Sequence, residues 1–206
     1  MCIRDRENIG FPSAEEKAKM YENAYKKFTE AGYVAIGMDH FCRPNDEFYL
    51  ALKNNQLHRN FQGYCTTKTT GQVYGFGASS ISQLFSAYSQ NVKNAAQYIK
   101  KINEKNTAVF RGYKLNKKEK IIRDVINSIM CNYYVDFKEI SERFNTDSKN
   151  IKEILDFNHE KFYDFLDLNL MRIKNDTVSI SHDARLFIRN IAMKYETLIN
   201  NCLLYT

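Results

Sequence analysis

Residues Gly37 to Asn91 read GMDHFCRPNDEFYLALKNNQLHRNFQGYCTTKTTGQVYGFGASSISQLFSAYSQN, and this stretch decides the fold. It contains three clusters of polar, glycine and aromatic residues, which are Asp39-His40, the block His58–Tyr64 and the block Gly75–Ser79. A hydrophobic core does not require such residues. Because the three clusters follow one another closely, the sequence predicts that they line one shared site.

The glycine-containing cluster predicts a ligand-binding junction. Val73-Tyr74 favours a strand, and Gly75 and Gly77 follow it where the backbone must turn sharply or approach a ligand. The run Gln83–Tyr88 has the apolar spacing of a helix. A strand, loop and helix in this order is a common ligand site in α/β proteins, whereas the alternative is a plain tight turn with a serine cap.

The first cluster follows a predicted helix-and-strand unit. Ser13–Glu16 has the pattern of a capping box, and the apolar residues after it recur at helical spacing until Gly32. The apolar run Tyr33–Met38 then predicts a buried parallel strand, which Asp39-His40 follow directly. Such units repeat around α/β barrels, whose functional loops follow the strands. The alternative is that Asp39-His40 only cap a loop.

Composition limits the class of protein. The 206 residues are 44% hydrophobic and contain 2 Pro, which indicates one or two globular domains. The sequence contains no apolar run of membrane length and no signal-peptide pattern, so we expect a cytoplasmic protein without membrane insertion. The formal net charge of +6 is compatible with a multiply anionic substrate.

The second half of the chain predicts helices and one hairpin. A polar break at Asn103–Thr107 suggests a domain boundary, with Arg111–Leu115 as a connector. Helices are predicted over Asn116–Tyr134, Phe137–Phe144, within Asp147–Leu168, and over Asp183–Ile199, with a hairpin around Asn175-Asp176. This is the order of a winged-helix domain, and DNA binding is therefore one alternative. However, Ser148–Leu168 contains three lysines and five acidic residues, so we expect no nucleic-acid partner.

Several segments together resemble a known family. The ordered series GYVAIGMDHF, RPNDE, LHRNFQGY, GFGASSIS and YSQN is similar to the C-terminal half of the oxygen-independent coproporphyrinogen III oxidases, which are radical S-adenosylmethionine enzymes. The segments RGYKL, IIRDVINSIMCNYYVDF and LFIRNIAM continue the resemblance, which extends roughly from Pro12 to Ile199. The related haem chaperones lack the HRNFQGY block and look less similar.

The resemblance implies an α/β fold in two parts. Residues 7–106 would form the C-terminal part of a radical-SAM partial (β/α) barrel, and residues 107–201 a mostly helical, winged-helix-like domain. Residues 1–6 and 202–206 look like translated sequencing adapter, so we expect the chain to be part of a longer protein.

The resemblance also implies cofactors and partners. The intact enzyme would convert coproporphyrinogen III to protoporphyrinogen IX by two oxidative decarboxylations. It would use a 4Fe-4S cluster and two molecules of S-adenosylmethionine, together with an electron donor and an electron acceptor. The sequence contains no CxxxCxxC motif, so we expect the cluster ligands upstream, no metal ligand here, and an inactive piece. We also expect a monomer. The alternative is a haem- or porphyrin-binding paralogue without turnover.

Particular residues match the family's motifs. By position, Gln62 resembles a contact of the second S-adenosylmethionine and Ile81 a contact of the cluster-bound one, and Gly75 and Gly77 would admit backbone to that pocket. The expected substrate-binding residues are Arg59, His58 and Asp39. A guanidinium such as that of Arg59 can hold a propionate through two parallel hydrogen bonds. The catalytic residues are not assigned.

Overall fold

A computed structural model describes residues 11–68 and 71–195. The two predicted adapter stretches lie outside these residues. The helices are α1 (Ala14–Glu30), α2 (Glu47–Lys53), α3 (Ala95–Lys105), α4 (Lys117–Asn132), α5 (Phe137–Arg143), α6 (Ser148–Ile154), α7 (Tyr163–Asp167) and α8 (Ile188–Met193). The strands are β1 (Val34–Gly37), β2 (His40–Cys42), β3 (Leu57–Asn60), β4 (Gly63–Thr66), β5 (Ile81–Gln83), β6 (Ala87–Asn91), β7 (Val109–Lys114), β8 (Tyr134–Asp136), β9 (Met171–Lys174) and β10 (Thr177–Ile180).

The predicted first helix is confirmed, and the strand after it has a different partner from the one expected. The Ser13 side chain accepts a hydrogen bond from the Glu16 backbone N–H, and Glu16 accepts one in return, so the capping box is complete. Strand β1 pairs with β2, which runs antiparallel to it. The expected parallel strand is therefore wrong within the described residues, because the chain reverses at once through Met38, whose φ is +39°.

Two further β-structures follow along the chain, and the second of them replaces a predicted helix. Strands β3 and β4 form an antiparallel hairpin from the HRNFQGY block. Strands β5, β6 and β7 form an antiparallel sheet in that order, so the predicted helix over Gln83–Tyr88 is wrong. The apolar side chain of Phe85, which suggested a helical face, is 64% exposed at the turn between β5 and β6. The predicted connector Arg111–Leu115 falls mostly in β7.

The order of elements predicted for the second half is confirmed. Helices α4, α5 and α6 are followed by the β9–β10 hairpin, and β10 lies between β8 and β9 in a three-stranded antiparallel sheet. Asn175 takes a positive φ of +56° at the hairpin turn. The predicted last helix differs, because Asp183–Phe187 is a 3₁₀ turn and α8 begins only at Ile188. The two-domain division stays a prediction, since β7 lies beyond the predicted boundary and pairs with β6 before it.

The main hydrophobic core lies around α4 and the helices that follow it. Its fully buried members include Ile121, Ile129, Phe137 and Ile188. A second, smaller core lies between α4 and the first two hairpins, and Cys131 of α4 belongs to it together with Ile36 of β1. Helix α4 therefore holds the first hairpins against the rest of the protein. No helix within the described residues has the length and apolarity needed to cross a membrane.

Candidate functional site

The C-terminal end of β1 is where three tyrosines meet the backbone. Tyr21 from α1 donates a hydrogen bond to the Met38 carbonyl at 2.9 Å, and Tyr133 after α4 donates one to the Ile36 carbonyl at 3.2 Å. Between them, a Cβ atom placed on Gly37 would overlap the hydroxyl of Tyr64. We call Ile36, Gly37 and Met38 the strand end. It is fixed from three directions, so the turn after it has a defined position.

Asp39 lies in that turn, and His40 follows it as the first residue of β2. The Asp39 carboxylate lies 2.9 Å from Nδ1 of His40, and both side chains are exposed to solvent. The His40 ring packs edge-on against the Tyr64 ring, with 4.9 Å between ring centres. Asp39 is thus placed at the surface next to the strand end, where it can reach a bound molecule.

Arg59 lies on β3 beside the same strand end. Its guanidinium carbon is 5.5 Å from the centre of the Tyr64 ring, and its Nη1 is 3.6 Å from the Met38 sulfur. Burial is the main reason that the pKa of Tyr64 is raised well above its usual range, although the charge of Arg59 lowers it. Tyr64 therefore stays protonated. Arg59, Asp39 and the strand end form one cluster.

His58 points away from that cluster. Its ring lies against Gly71, where a Cβ atom would come within 2.7 Å of the ring. It also lines a polar cavity of about 80 Å³ together with Asp124 and Asn132. Burial and the charge of Arg123 lower the pKa of His58, so its neutral form is favoured. The structure places His58 in a different environment from Arg59, its neighbour in sequence.

The GFGASS loop is held mainly by its own hydrogen bonds. The Asn91 side-chain amide donates to the carbonyls of Gly75 and Gly77 at 3.2 and 3.0 Å and to the Ser80 hydroxyl at 3.0 Å. A Cβ atom on Gly75 would lie 2.7 Å from the backbone oxygen of Ile81, so the protein's own chain occupies the space that this glycine leaves. Gly77 has a φ of +98° and open space beside it.

Gln62 and Ile81 lie on neighbouring elements. Gln62 is in the turn between β3 and β4, and the backbone N–H of the preceding residue, Phe61, donates to the side chain of Gln83 at 3.1 Å. Gln83 is the last residue of β5, the strand that begins at Ile81. Gln62 is exposed, and Ile81 is 38% exposed although its side chain is apolar. This hydrogen bond joins the hairpin turn to β5.

The structure brings out residues that the sequence did not single out. Asn91 was visible only as part of the YSQN segment, although it fixes the GFGASS loop. Arg123 of α4 donates to the carbonyls of Leu84 and Phe85, and this holds the β5–β6 turn. No local pattern marks such contacts, because they join residues far apart in sequence. Among the described residues, no group of three or more His, Cys, Asp or Glu could hold a metal ion.

Comparisons with known proteins identify the relatives of this chain. No family model matches it. The oxygen-independent coproporphyrinogen III oxidase of Synechocystis is 36% identical over 196 residues, which cover 92% of this chain and 41% of that protein. Its counterpart in Escherichia coli is 33% identical over 199 residues, or 95% of this chain and 42% of that protein.

A solved structure agrees with these matches. The structure of the Escherichia coli coproporphyrinogen III oxidase, described as a radical SAM enzyme, superimposes with a TM-score of 0.81 at 33% identity, over 90% of this chain and 42% of that one. The resemblance predicted from the sequence segments is thus confirmed. The chain is a homologue of oxygen-independent coproporphyrinogen III oxidase, matched over about two fifths of the length of these relatives.

Proposed function

We propose that this chain acts as the C-terminal part of an oxygen-independent coproporphyrinogen III oxidase. The observation that supports this best is the combined match in sequence and structure to the Escherichia coli enzyme, with a TM-score of 0.81 over 90% of the chain. Under this proposal the residues up to 106 complete a partial (β/α) barrel that other residues begin, and the helical part after them covers its mouth. The reaction is the oxidative decarboxylation of coproporphyrinogen III to protoporphyrinogen IX.

Ile81, with Gly77 nearby in sequence, would contact the cluster-bound S-adenosylmethionine, and Gln62 would contact the second one. The apolar side chain of Ile81 is 38% exposed and can pack on an adenine or a ribose carbon. The exposed amide of Gln62 offers both donors and acceptors. The space beside Gly77 lets a ligand approach the backbone. When bound, S-adenosylmethionine supplies the 5′-deoxyadenosyl group that removes a hydrogen atom from the substrate. The role of Gly75 as a cofactor contact has less support, because Ile81 fills its open side.

The cluster of Arg59 and Asp39 would bind the substrate. A guanidinium packed on the Tyr64 ring is pre-oriented, and it can hold a propionate in two parallel hydrogen bonds. His58 would stabilise the β3–β4 hairpin on the side that faces the polar cavity, away from the strand end. Its contribution to substrate binding would then be indirect.

The described residues do not fit a 4Fe-4S cluster. They contain no group of three or more possible metal ligands, and the whole sequence lacks a CxxxCxxC motif. Cys42 and Cys131 are buried, and burial raises the pKa of both thiols, that of Cys131 to about 12, so neither is poised to bind iron as a thiolate. The part of the enzyme outside this chain would have to supply the cluster.

A hybrid protein tests the proposal. Residues 11–195 of this chain would replace the matching segment of the Escherichia coli enzyme, and anaerobic conversion of coproporphyrinogen III would be followed by chromatography of the oxidised products. We expect the hybrid to form protoporphyrin. The variant Ile81→Asp should form less of it, because the substitution places a negative charge at the expected cofactor contact. Exposed Leu168→Asp is the matched control. A folded hybrid with its cluster incorporated but without turnover contradicts the proposed activity, and porphyrin binding without turnover would instead support the non-catalytic paralogue.

A further inference from the structure

Two arginines near the strand end lack an acidic partner. Neither Arg59 nor Arg185 forms an ion pair with any carboxylate among the described residues, whereas Arg143 is held by Asp124 at 2.9 Å. Both arginines are only partly exposed, and each packs on a tyrosine ring. A partly buried guanidinium without a counterion is unusual because removing its charge from water costs free energy.

Arg185 has a donor group that nothing satisfies. It lies in the 3₁₀ turn Asp183–Phe187, and its guanidinium carbon is 4.3 Å from the centre of the Tyr133 ring. Its Nε atom is buried and has no hydrogen-bond partner among the described residues. An arginine offers five N–H donors and no acceptor, and a buried donor left unpaired is costly. The environment of Arg185 therefore lacks an acceptor.

The neighbouring tyrosines cannot supply that acceptor as anions. Burial raises the pKa of Tyr133 to about 12, so its hydroxyl stays protonated and donates to the Ile36 carbonyl. The hydroxyl of Tyr21 donates to Met38, and that of Tyr25 is paired with His182 at 3.2 Å. The hydroxyls of Tyr21, Tyr25 and Tyr133 are thus engaged with other partners, whereas that of Tyr64 is buried without one among the described residues. A carboxylate from a bound molecule would provide the missing negative charge for the partly exposed guanidinium of Arg185.

We propose that Arg185 is a second carboxylate anchor, which acts with Arg59 to hold propionate arms of the substrate beside the strand end Ile36–Met38. The two arginines are connected through contacts already described: Arg59 packs on Tyr64, which reaches Gly37, and Arg185 packs on Tyr133, which reaches Ile36. This inference rests on the proposed function, and it assigns to the second half of the chain a direct part in substrate recognition.

Binding of coproporphyrin III tests the inference. This stable oxidised analogue keeps the propionate arms, and its fluorescence reports binding to the 206-residue chain. We expect Arg185→Gln and Arg59→Gln each to raise the dissociation constant by about tenfold or more. The matched control is Arg172→Gln, which removes the same charge from an exposed position on β9 and should change the dissociation constant by less than about twofold. Far-UV circular dichroism checks that each variant is folded.

A conservative variant covers the case in which Arg185→Gln does not fold. Arg185→Lys keeps the positive charge but loses the planar fork, so it should also weaken coproporphyrin binding while responding more strongly to added salt. If the unaltered chain binds coproporphyrin III and the Arg185 variants bind as the Arg172 variant does, the inference is wrong and the proposed function stands. If the unaltered chain does not bind coproporphyrin III, the inference is overturned, whereas the proposed function is decided separately by turnover of the hybrid protein.

Discussion

Replacing Gly37 by Ala should destabilise the protein through a clash with one identifiable side chain. The added Cβ atom would overlap the Tyr64 hydroxyl and lie 2.6 Å from the Tyr64 ring carbon Cζ. Tyr64 cannot easily swing away, because it is 9% exposed and belongs to the small core that includes Ile36 and Leu57. The φ of Gly37 is not positive, so the backbone itself would accept alanine.

The expected size follows from this overpacking. Inserting one carbon into a packed core costs about 1–3 kcal/mol. With a urea slope of about 1–3 kcal/mol per molar, the unfolding midpoint should fall by roughly 1 M. The measurement is equilibrium urea unfolding of the Gly37→Ala variant followed by far-UV circular dichroism. The related variant Gly112→Ala should cost less, since its Cβ atom would come no closer than 3.3 Å to another atom, the Tyr88 carbonyl oxygen.

A double-mutant cycle identifies the cause. Tyr64→Ala destabilises the protein by itself but leaves room for the new methyl group, so Gly37→Ala should cost close to nothing in that background. If Gly37→Ala lowers the free energy of unfolding equally with and without the Tyr64 side chain, the overlap is not the reason for the loss. The explanation of the fixed strand end would then have to be abandoned.

Three further predictions concern other parts of the protein. Asn91→Ala removes three hydrogen bonds to the GFGASS loop. Amide exchange of residues 75–80 should therefore accelerate, and the free energy of unfolding should fall by about 1–3 kcal/mol. The control variant Asn190→Ala, at an exposed position, should change neither quantity. Because folding lowers the pKa of His58, the unfolded chain binds the proton more readily, and stability should decline as the pH falls below about 6.5. His58→Gln should reduce that decline in urea titrations at several pH values, and an unchanged slope would count against it. Cys131 is fully buried, and burial raises its pKa to about 12, so iodoacetamide should modify its thiol only after unfolding. Peptide mass spectrometry measures this labelling. Rapid labelling of the native chain would disprove the burial of Cys131.

The sequence predicted local structure well wherever capping residues and helical spacing agreed. The capping box at Ser13 and the cap at Asn116 both mark true helix starts, and the turn at Asn175 marks a true hairpin. These signals depend on interactions between residues three or four positions apart. They are therefore visible without any knowledge of the tertiary structure.

Strand pairing was harder to predict. The run after Gly32 was correctly identified as extended, but its spacing did not show that Met38 would take a positive φ and reverse the chain. The run Gln83–Tyr88 has helical spacing, yet it contains the end of β5, a turn held by Arg123 and the start of β6, which pairs with β7. In both cases long-range contacts outweigh local propensity.

The candidate site shows the same limit. The motif residues Gln62 and Ile81 could be chosen from the sequence through a family resemblance, and their roles stay predictions. Arg185 could not be chosen, because no motif contains it and its importance depends on the ring of Tyr133, far away in sequence. The unsatisfied Nε atom is a property of the folded protein alone.

The pairing of β7 with β6 has a practical consequence for dividing this protein. A polypeptide that stops at residue 106 would retain β6 but lose the strand that covers its outer edge from Ala87 to Asn91. Its unpaired backbone N–H and C=O groups would be free to recruit a strand from another molecule, which is a common origin of aggregation. Expression of the first half alone should therefore extend at least through Leu115, whose backbone N–H still bonds to the Ser86 carbonyl.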